Sequence, residues 1–318
     1  MPDSTAGLAD TTAVARQRTL RNTVTCSGIG LHSGRPVRMA IHPAPAGSGI
    51  RFRRTDLTGA AATIPADWRH VCDLPLCTAL ANDAGSQVAT VEHVMAALVG
   101  CGIDNAEIAV DAPELPIMDG SAAPFLFLIE CAGTVLQPAP RRAIAVRKPV
   151  VVGDDARRAA LLPDDGFTIS VEVDYGACAL SRQSYHGRIT PDSFRAELAR
   201  ARTYGFLADA EALKAAGLAQ GASLDNAVVV DGGKVLNEGG LRYANELARH
   251  KALDVIGDLA LAGAPLLARF EGLRSGHKLH HRLLVHLFAD AEAWSWVTLP
   301  EEAEEPAARA AAEARAIA

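Results

Sequence analysis

The chain has 318 residues, enough for two domains of ordinary size, each with its own core. It is 49% hydrophobic but only 5% aromatic, with Ala and Val supplying much of the apolar content. A formal charge of -6 argues against nucleic acid as a partner, and no apolar run is long enough to span a bilayer.

Met1 to Gln17 mixes polar residues with Ala and lacks the basic start and apolar stretch of a secretory signal, which points to a cytoplasmic protein. Residues 1–16 read as a loose arm. The cysteines at positions 26, 72, 77, 101, 131 and 178 form no CxxC pair. They are expected to be reduced, buried small residues rather than disulfides or a thiolate metal site.

Thr23 to Thr25 and the alternating Val37 to Ile41 read as strands on either side of a loop containing Gly28, Gly30 and Gly34. That loop resembles a phosphate loop only loosely, because its third glycine is misplaced for a dinucleotide fingerprint. A helix is predicted from Thr90, taken as its cap, to about Gly100. Ala106 to Val110 reads as a strand, and Ala123 to Ala132 as a helix ended by Gly133. Between them, Asp111 to Ser121 is rich in acids and prolines. It can hold a metal, but the prolines favour an extended connection with a turn at Asp119.

The Pro-rich stretch Gln137 to Arg142 is the best internal break, dividing a first domain at 17–138 from a second at 143–300. Strands are predicted over Val146 to Val152 and Phe167 to Val173. A helix capped by Thr190 follows over Pro191 to Arg202, and Ala227 to Val230 is a short strand before a turn at Asp231. Ala208 to Leu224 is apolar yet lightly packed in character. It reads as the lining of a passage for an alkyl chain or as a plain Ala-rich helical hairpin. A long helix spans about Asn245 to Ala262. Leu283 to Phe288 and Trp294 to Leu299 close the domain, and residues 301–318 form a frayed helix or disordered tail. Neighbouring strands of antiparallel type with grouped helices favour an α+β fold over a doubly wound sheet.

The chemistry concentrates on the long helix. His250, Asp254 and Asp258 are spaced four apart, which stacks them on one face. An imidazole and a carboxylate one turn apart can hold one divalent cation, much as two-histidine zinc helices do. A solvated polar stripe is the plain alternative. The third ligand is sought in Thr90 to His93, where Glu92 and His93 sit among Val91, Val94, Met95 and Leu98. A buried Glu there needs a partner or a task, while His93 taken alone also fits a satisfied core histidine. His277 reads as lying on a Gly-containing loop, either reaching into a cleft as a general acid or merely exposed. His280 and His281 are expected at the surface or pocket rim. Neither a Walker motif nor a nucleophile elbow is present.

Taken together, these segments resemble a known family. Gly30-Leu-His-Ser-Gly34, Thr90-Val-Glu-His93, Gly102-Ile-Asp-Asn105, Pro116 to Phe125, Arg202-Thr-Tyr-Gly-Phe206, Val235-Leu-Asn-Glu238, Arg249 to Asp258 and Ser275-Gly-His277 occur in the order seen in the UDP-3-O-acyl-N-acetylglucosamine deacetylases, the LpxC family. The resemblance spans about residues 17–300. It implies two domains of similar architecture, each a mainly antiparallel sheet with helices, the helices packed between the two sheets. It further implies one catalytic Zn2+ held by His93, His250 and Asp254, with Fe2+ as a possible substitute. Glu92 becomes the general base and His277 the acid, oriented by Asp258. Thr203 becomes the oxyanion donor, and Lys251, Phe206 and Leu31 become substrate contacts. An insert at about 203–232 would hold the acyl chain. The implied reaction is removal of the N-acetyl group from a UDP-linked acylated amino sugar, in lipid A biosynthesis, by a monomer. A deacetylase of another N-acetyl sugar and a catalytically silent binding protein are the alternatives. Tyr204 stands where Phe is expected, and Ala210, Ala219 and Leu224 are small for passage residues, which bears on acyl length rather than on the reaction.

Overall fold

The computed structural model describes residues 14–176, 180 and 182–301. One five-stranded sheet is drawn wholly from the first half of the chain. Its strands run in the order Val24–Ile29, Pro36–Pro43, Ala106–Val110, Ile50–Arg54, Thr63–Pro65, antiparallel except for the central parallel pair. A seven-stranded sheet is drawn wholly from the second half. It centres on Leu266–Leu273, which pairs antiparallel with Arg158–Pro163 and parallel with Phe167–Asp174. Both sheets bury one face, as the period-2 pattern requires. Val37, Met39 and Ile41 point inward in the first, and Leu266, Ala268 and Phe270 in the second.

The main helices, apart from the exposed Leu207–Ala215, lie between the sheets. Helices α1 (Glu92–Gly100) and α2 (Ala123–Ala132) belong to the first half, and α2 lies on the strand Val24–Ile29. The second half contributes a short turn α3 (Pro191–Ser193), then α4 (Leu207–Ala215), α5 (Glu246–Leu259) and α6 (His277–Ala289). Helix α5 covers the strands Phe167–Asp174 and Arg182–Arg188, and α6 covers Val150–Gly153 and Arg158–Pro163. The remaining join is made by α1 against α5. The α+β class and the helix-between-sheets arrangement agree with the sequence reading.

Several local expectations need correction. Thr90 is not a helix cap: it has φ +59°, and α1 starts at Glu92 without a side-chain cap. The structured chain begins before residue 17, since Val14 bridges to Pro300 and a strand runs from Arg16 to Leu20. Val146 to Val152 is two strands, Arg142–Val146 and Val150–Gly153, with Pro149 in the gap. Proline there cannot donate to a ladder. The Pro-rich stretch at 137–142 is itself extended, ending one strand (Thr134–Pro140) and starting the next. The helix after Thr190 is shorter than predicted, with the three residues of α3 passing into a π-turn over Phe194–Leu198. Thr190 caps it as the sequence suggests, and Ser193 completes a capping box. Of the cysteines, Cys77 is buried but Cys131 is exposed, and all described ones are free. Residues 1–13 and 302–318, where most of the arm and tail readings fall, and Cys178 lie outside the described residues. Among those described, no helix is long and apolar enough to cross a membrane.

Candidate metal centre and active site

The site forms where α1 crosses α5. Helix α1 is apolar on nearly every side, with Val94, Met95, Ala97 and Leu98 all buried, so it can only be an interior helix. Each large side chain buried this way contributes about 1.5–3 kcal/mol. The crossing is close because of Gly257. A Cβ at that position would lie 2.0 Å from the Glu92 carbonyl oxygen. Nothing larger than hydrogen fits, and the contact sets Glu92 and His93 against the polar stripe of α5. The entry to α1 is strained in the same service. A β-branched residue rarely adopts a positive φ, and Thr90 does so at a cost of about 1–3 kcal/mol. It is held there by the Val91 N–H, which donates to the Thr78 carbonyl at 3.2 Å, and by its own hydroxyl, 3.3 Å from Glu114.

His93, His250 and Asp254 converge in this crossing. All three are buried, and their ligand atoms lie within 4.8 Å of one another. Asp254 Oδ1 is 3.3 Å from His250 Nε2 and 3.8 Å from His93 Nε2. The rings of the two histidines stand edge to face at 5.0 Å. His250 Nδ1 lies 3.0 Å from the Ala201 carbonyl, which fixes Nδ1 as the protonated nitrogen and leaves the Nε2 lone pair facing Asp254. Asp254 Oδ2 accepts a 2.6 Å bond from Lys251 Nζ, whereas Oδ1 is buried without a hydrogen-bond partner. An orphaned carboxylate oxygen aimed at two imidazole nitrogens is a poor arrangement for a metal-free core and a good one for a cation. The protonation states agree. Burial, with His250 beside it, pushes His93 down to about 3, and burial also lowers His250, so both are neutral. Burial works against the charge on Asp254, yet His250, Lys251 and His277 hold it well below the usual carboxylate range.

A carboxyl and an imidazole flank these three. Burial drives Glu92 up to about 8, with Asp258 and Asp254 adding to the rise. Burial opposes the charge on His277, but Asp258 overcomes it, with Asp254 and Glu92 assisting, and lifts it to about 9. His277 Nδ1 is 2.8 Å from Asp258 Oδ2, and its Nε2 is 3.9 Å from Asp254 Oδ2. A histidine raised above neutrality is protonated near pH 7, the state an acid needs, whereas a carboxyl at about 8 is also protonated there and serves as a base only once a neighbouring cation favours its charged form. His277 is the first residue of α6, not a loop residue as the sequence suggested. His280 is fully buried, not at the rim, and its Nδ1 is 2.6 Å from the same Asp258 oxygen.

The segment 201–203 is tied to α5 twice. Ala201 offers its carbonyl to His250, and Arg202 forms a buried pair with Glu246 at 2.8 Å. That places Thr203 and the strand Tyr204–Phe206 beside the centre, with the Tyr204 ring 6.0 Å from His250 and 5.6 Å from Lys251 Nζ. The Tyr204 hydroxyl reaches Tyr175 at 2.6 Å, and Phe206 packs on the same Tyr175 ring. Leu31 lies in the glycine loop, whose backbone meets the second half where the Gly221 N–H donates to the Leu31 carbonyl. This loop is no phosphate cradle. The N–H groups of His32 and Ser33 donate to the protein's own Glu114 at 2.7 and 2.8 Å. A Cβ on Gly30 would strike that carboxylate at 2.2 Å. Leu31 and Phe206 thus belong to segments around the three converging residues, not among them.

Comparison with known proteins identifies the family. The family model for UDP-3-O-acyl N-acetylglycosamine deacetylase, LpxC, matches residues 17–289. The chain belongs to the LpxC family. It is 46% identical over 295 residues to the UDP-3-O-acyl-N-acetylglucosamine deacetylase of Vibrio parahaemolyticus, covering 92% of this chain and 96% of that one. A relative of the same name from Vibrio vulnificus is 47% identical over the same shares, and one from Chromohalobacter salexigens is 46% identical over 91% and 95%. As a family member the chain is an enzyme, a deacetylase.

Three participants in this LpxC site escaped the sequence reading. Thr78 binds both Glu92 and Asp258 but precedes a three-residue strand, Ala79–Ala81, with no local mark of importance. Gly257 is one more small residue in a helix until α1 is laid against it. His280 did carry a signal. With Leu283, Leu284 and Leu287 it forms an i, i+3, i+4, i+7 stripe, the buried face of α6.

Proposed function

We propose that the chain hydrolyses the N-acetyl group of UDP-3-O-(3-hydroxyacyl)-N-acetylglucosamine, releasing acetate, as a committed step of lipid A biosynthesis in the cytoplasm. Its cofactor is one zinc ion held by His93, His250 and Asp254. The observation that carries this reading is the unpartnered Asp254 Oδ1 facing two neutral imidazoles, with Glu92 and His277 alongside. The N,N,O donor set suits Zn2+ and also Fe2+. When bound, the ion supplies Lewis acidity that polarises the acetamide carbonyl and makes water a better nucleophile near pH 7.

The remaining chemistry belongs to side chains. Glu92 accepts the proton of the attacking water as the new C–O bond forms. His277, carrying a proton on Nε2, balances the charge that develops on the carbonyl oxygen, and Thr203 donates a hydrogen bond to that oxygen. The C–N bond then breaks as His277 hands its proton to the departing amine, which is too basic to leave as an anion. Asp258 fixes the His277 tautomer and favours its cation. Lys251, Phe206 and Leu31 contact the substrate, and the insert at 203–232 receives its acyl chain. The two sheets, with their helices, act as domains meeting at this site, divided near residues 138–143.

Deacetylation of a UDP-3-O-acyl substrate before and after chelation tests the proposal. Activity should vanish with the metal and return with about one equivalent of zinc per chain. Full activity in rigorously metal-free protein would overturn the reading. Comparing substrates with and without the 3-O-acyl chain then tests the role given to the insert.

A further inference from the structure

We propose that Thr78 is a positioning residue for this reaction, locking the carboxylate of Asp258 and through it the acid His277. The inference rests on the roles proposed above for Asp258 and His277. Thr78 is buried, with 4% of its surface exposed. Its hydroxyl donates to Asp258 Oδ1 at 2.5 Å. The other oxygen of Asp258 serves two imidazoles, His277 Nδ1 at 2.8 Å and His280 Nδ1 at 2.6 Å. His280 is anchored in turn by Ser275 Oγ, 3.0 Å from its Nε2. Thr78 is therefore the group satisfying Oδ1. Without it the carboxylate can rotate about its Cβ–Cγ bond, and the ring it steers can follow.

The same residue reaches the base by a separate route. The Thr78 backbone N–H donates to Glu92 Oε2 at 3.1 Å, and its carbonyl accepts from the Val91 N–H. Its Oγ1 also lies 3.1 Å from His277 Nδ1, so the Nδ1 proton, given mainly to Asp258, has a second acceptor. One threonine thus holds the base with its backbone and the partner of the acid with its side chain. Substitution of the side chain separates the two arms, because the backbone donor survives it.

Four variants of the zinc-loaded full chain test this: Thr78→Val, Thr78→Ser, Asp258→Ala, and the double variant Thr78→Val with Asp258→Ala. Valine keeps the shape and removes the hydroxyl. It should lower kcat by about 10- to 100-fold, the usual loss when a residue supporting a catalytic ligand is removed. KM and zinc content should stay the same. Serine should restore most of kcat. In the Asp258→Ala background the valine should cost much less, because the path through Asp258 is already cut and only the 3.1 Å contact with His277 is left to lose. A wild-type kcat for Thr78→Val beside an impaired Asp258→Ala overturns the proposal. So does an undiminished loss in the double variant, or a failure of serine to rescue. A fall in zinc content or a parallel rise in KM marks a merely structural role and also overturns it. Should Thr78→Val not fold, Thr78→Ala replaces it under the same criteria. Full kcat in Asp258→Ala would instead sink the Asp258–His277 roles on which the inference stands.

Discussion

Helix α1 carries two residues of the site, while α4 follows the strand Tyr204–Phe206 that lies beside it, and the two helices are built on opposite terms. Eight of the nine residues of α1 are buried, as are twelve of the fourteen in its partner α5, whereas α4 buries none of its nine. The first pair holds the groups that must be placed to within fractions of an ångström. Its side chains have no room to move, and its polar atoms are held almost throughout by protein partners. Helix α4 packs on the short strands Tyr204–Phe206 and Val228–Asp231 and keeps its side chains at the surface. The interior pair and the surface helix should respond differently to change.

The sharpest contrast is expected at Glu92. Replacing it with Ala should leave zinc bound, since His93, His250 and Asp254 remain, but should lower kcat by about 10²–10⁴-fold, the range for loss of a general base. Steady-state rates and metal analysis on the same preparation check this, and full turnover in the variant excludes Glu92 as the base. Next is Gly257→Ala. The new Cβ meets the Glu92 carbonyl, so α1 must move off α5. Overpacking of this kind costs about 1–3 kcal/mol, read as a lower Tm, and activity should fall with it. An alanine variant with wild-type Tm and rate would show that the crossing is softer than its geometry indicates.

A third effect concerns pH in the metal-free protein. Glu92 has its carboxyl raised from 4.5 to about 8, and His277 is raised from 6.5 to about 9. Both favour the folded state when protonated, and that contribution is lost as pH climbs through the raised values. The histidines whose values are lowered, His93, His250, His280 and His32, are neutral in both states above 6.5 and drop out. Stability should therefore decline from pH 6.5 to 9. Zinc should flatten the decline, because a cation beside Glu92 favours its charged form. Thermal melts across that range, with and without zinc, decide it; a metal-free Tm that climbs with pH contradicts the assignment. Last and smallest, Glu211→Ala on exposed α4 should change stability by no more than about 0.5 kcal/mol, read as a nearly unchanged Tm.

The same contrast governs what could be read in the sequence. The helix period of α5 displayed His250, Asp254 and Asp258 as one face, and Glu92 and His93 stood out by being polar in an apolar run. Whether that face met solvent or protein was undetermined, since burial depends on α1, far away in the chain. Thr90 passed for a cap because its strain is imposed by the Thr78 carbonyl and Glu114, not by its neighbours. His277 passed for a loop residue because Gly276, which precedes it, is an ordinary loop signal that here stands at the start of α6. Thr78 and Gly257 were silent for one shared reason, that each matters only through a residue brought to it by the fold.

Thr78 and Asp258 are separated by 180 positions. During synthesis the N-terminal half emerges first, so His93 and Glu92 exist for some time with nothing opposite them. For the three ligands proposed above, a chelate closes only once residue 254 and the sheet behind α5 have left the ribosome. On that reading metal loading comes late, and the shorter nascent polypeptide offers passing ions only single, easily reversed contacts.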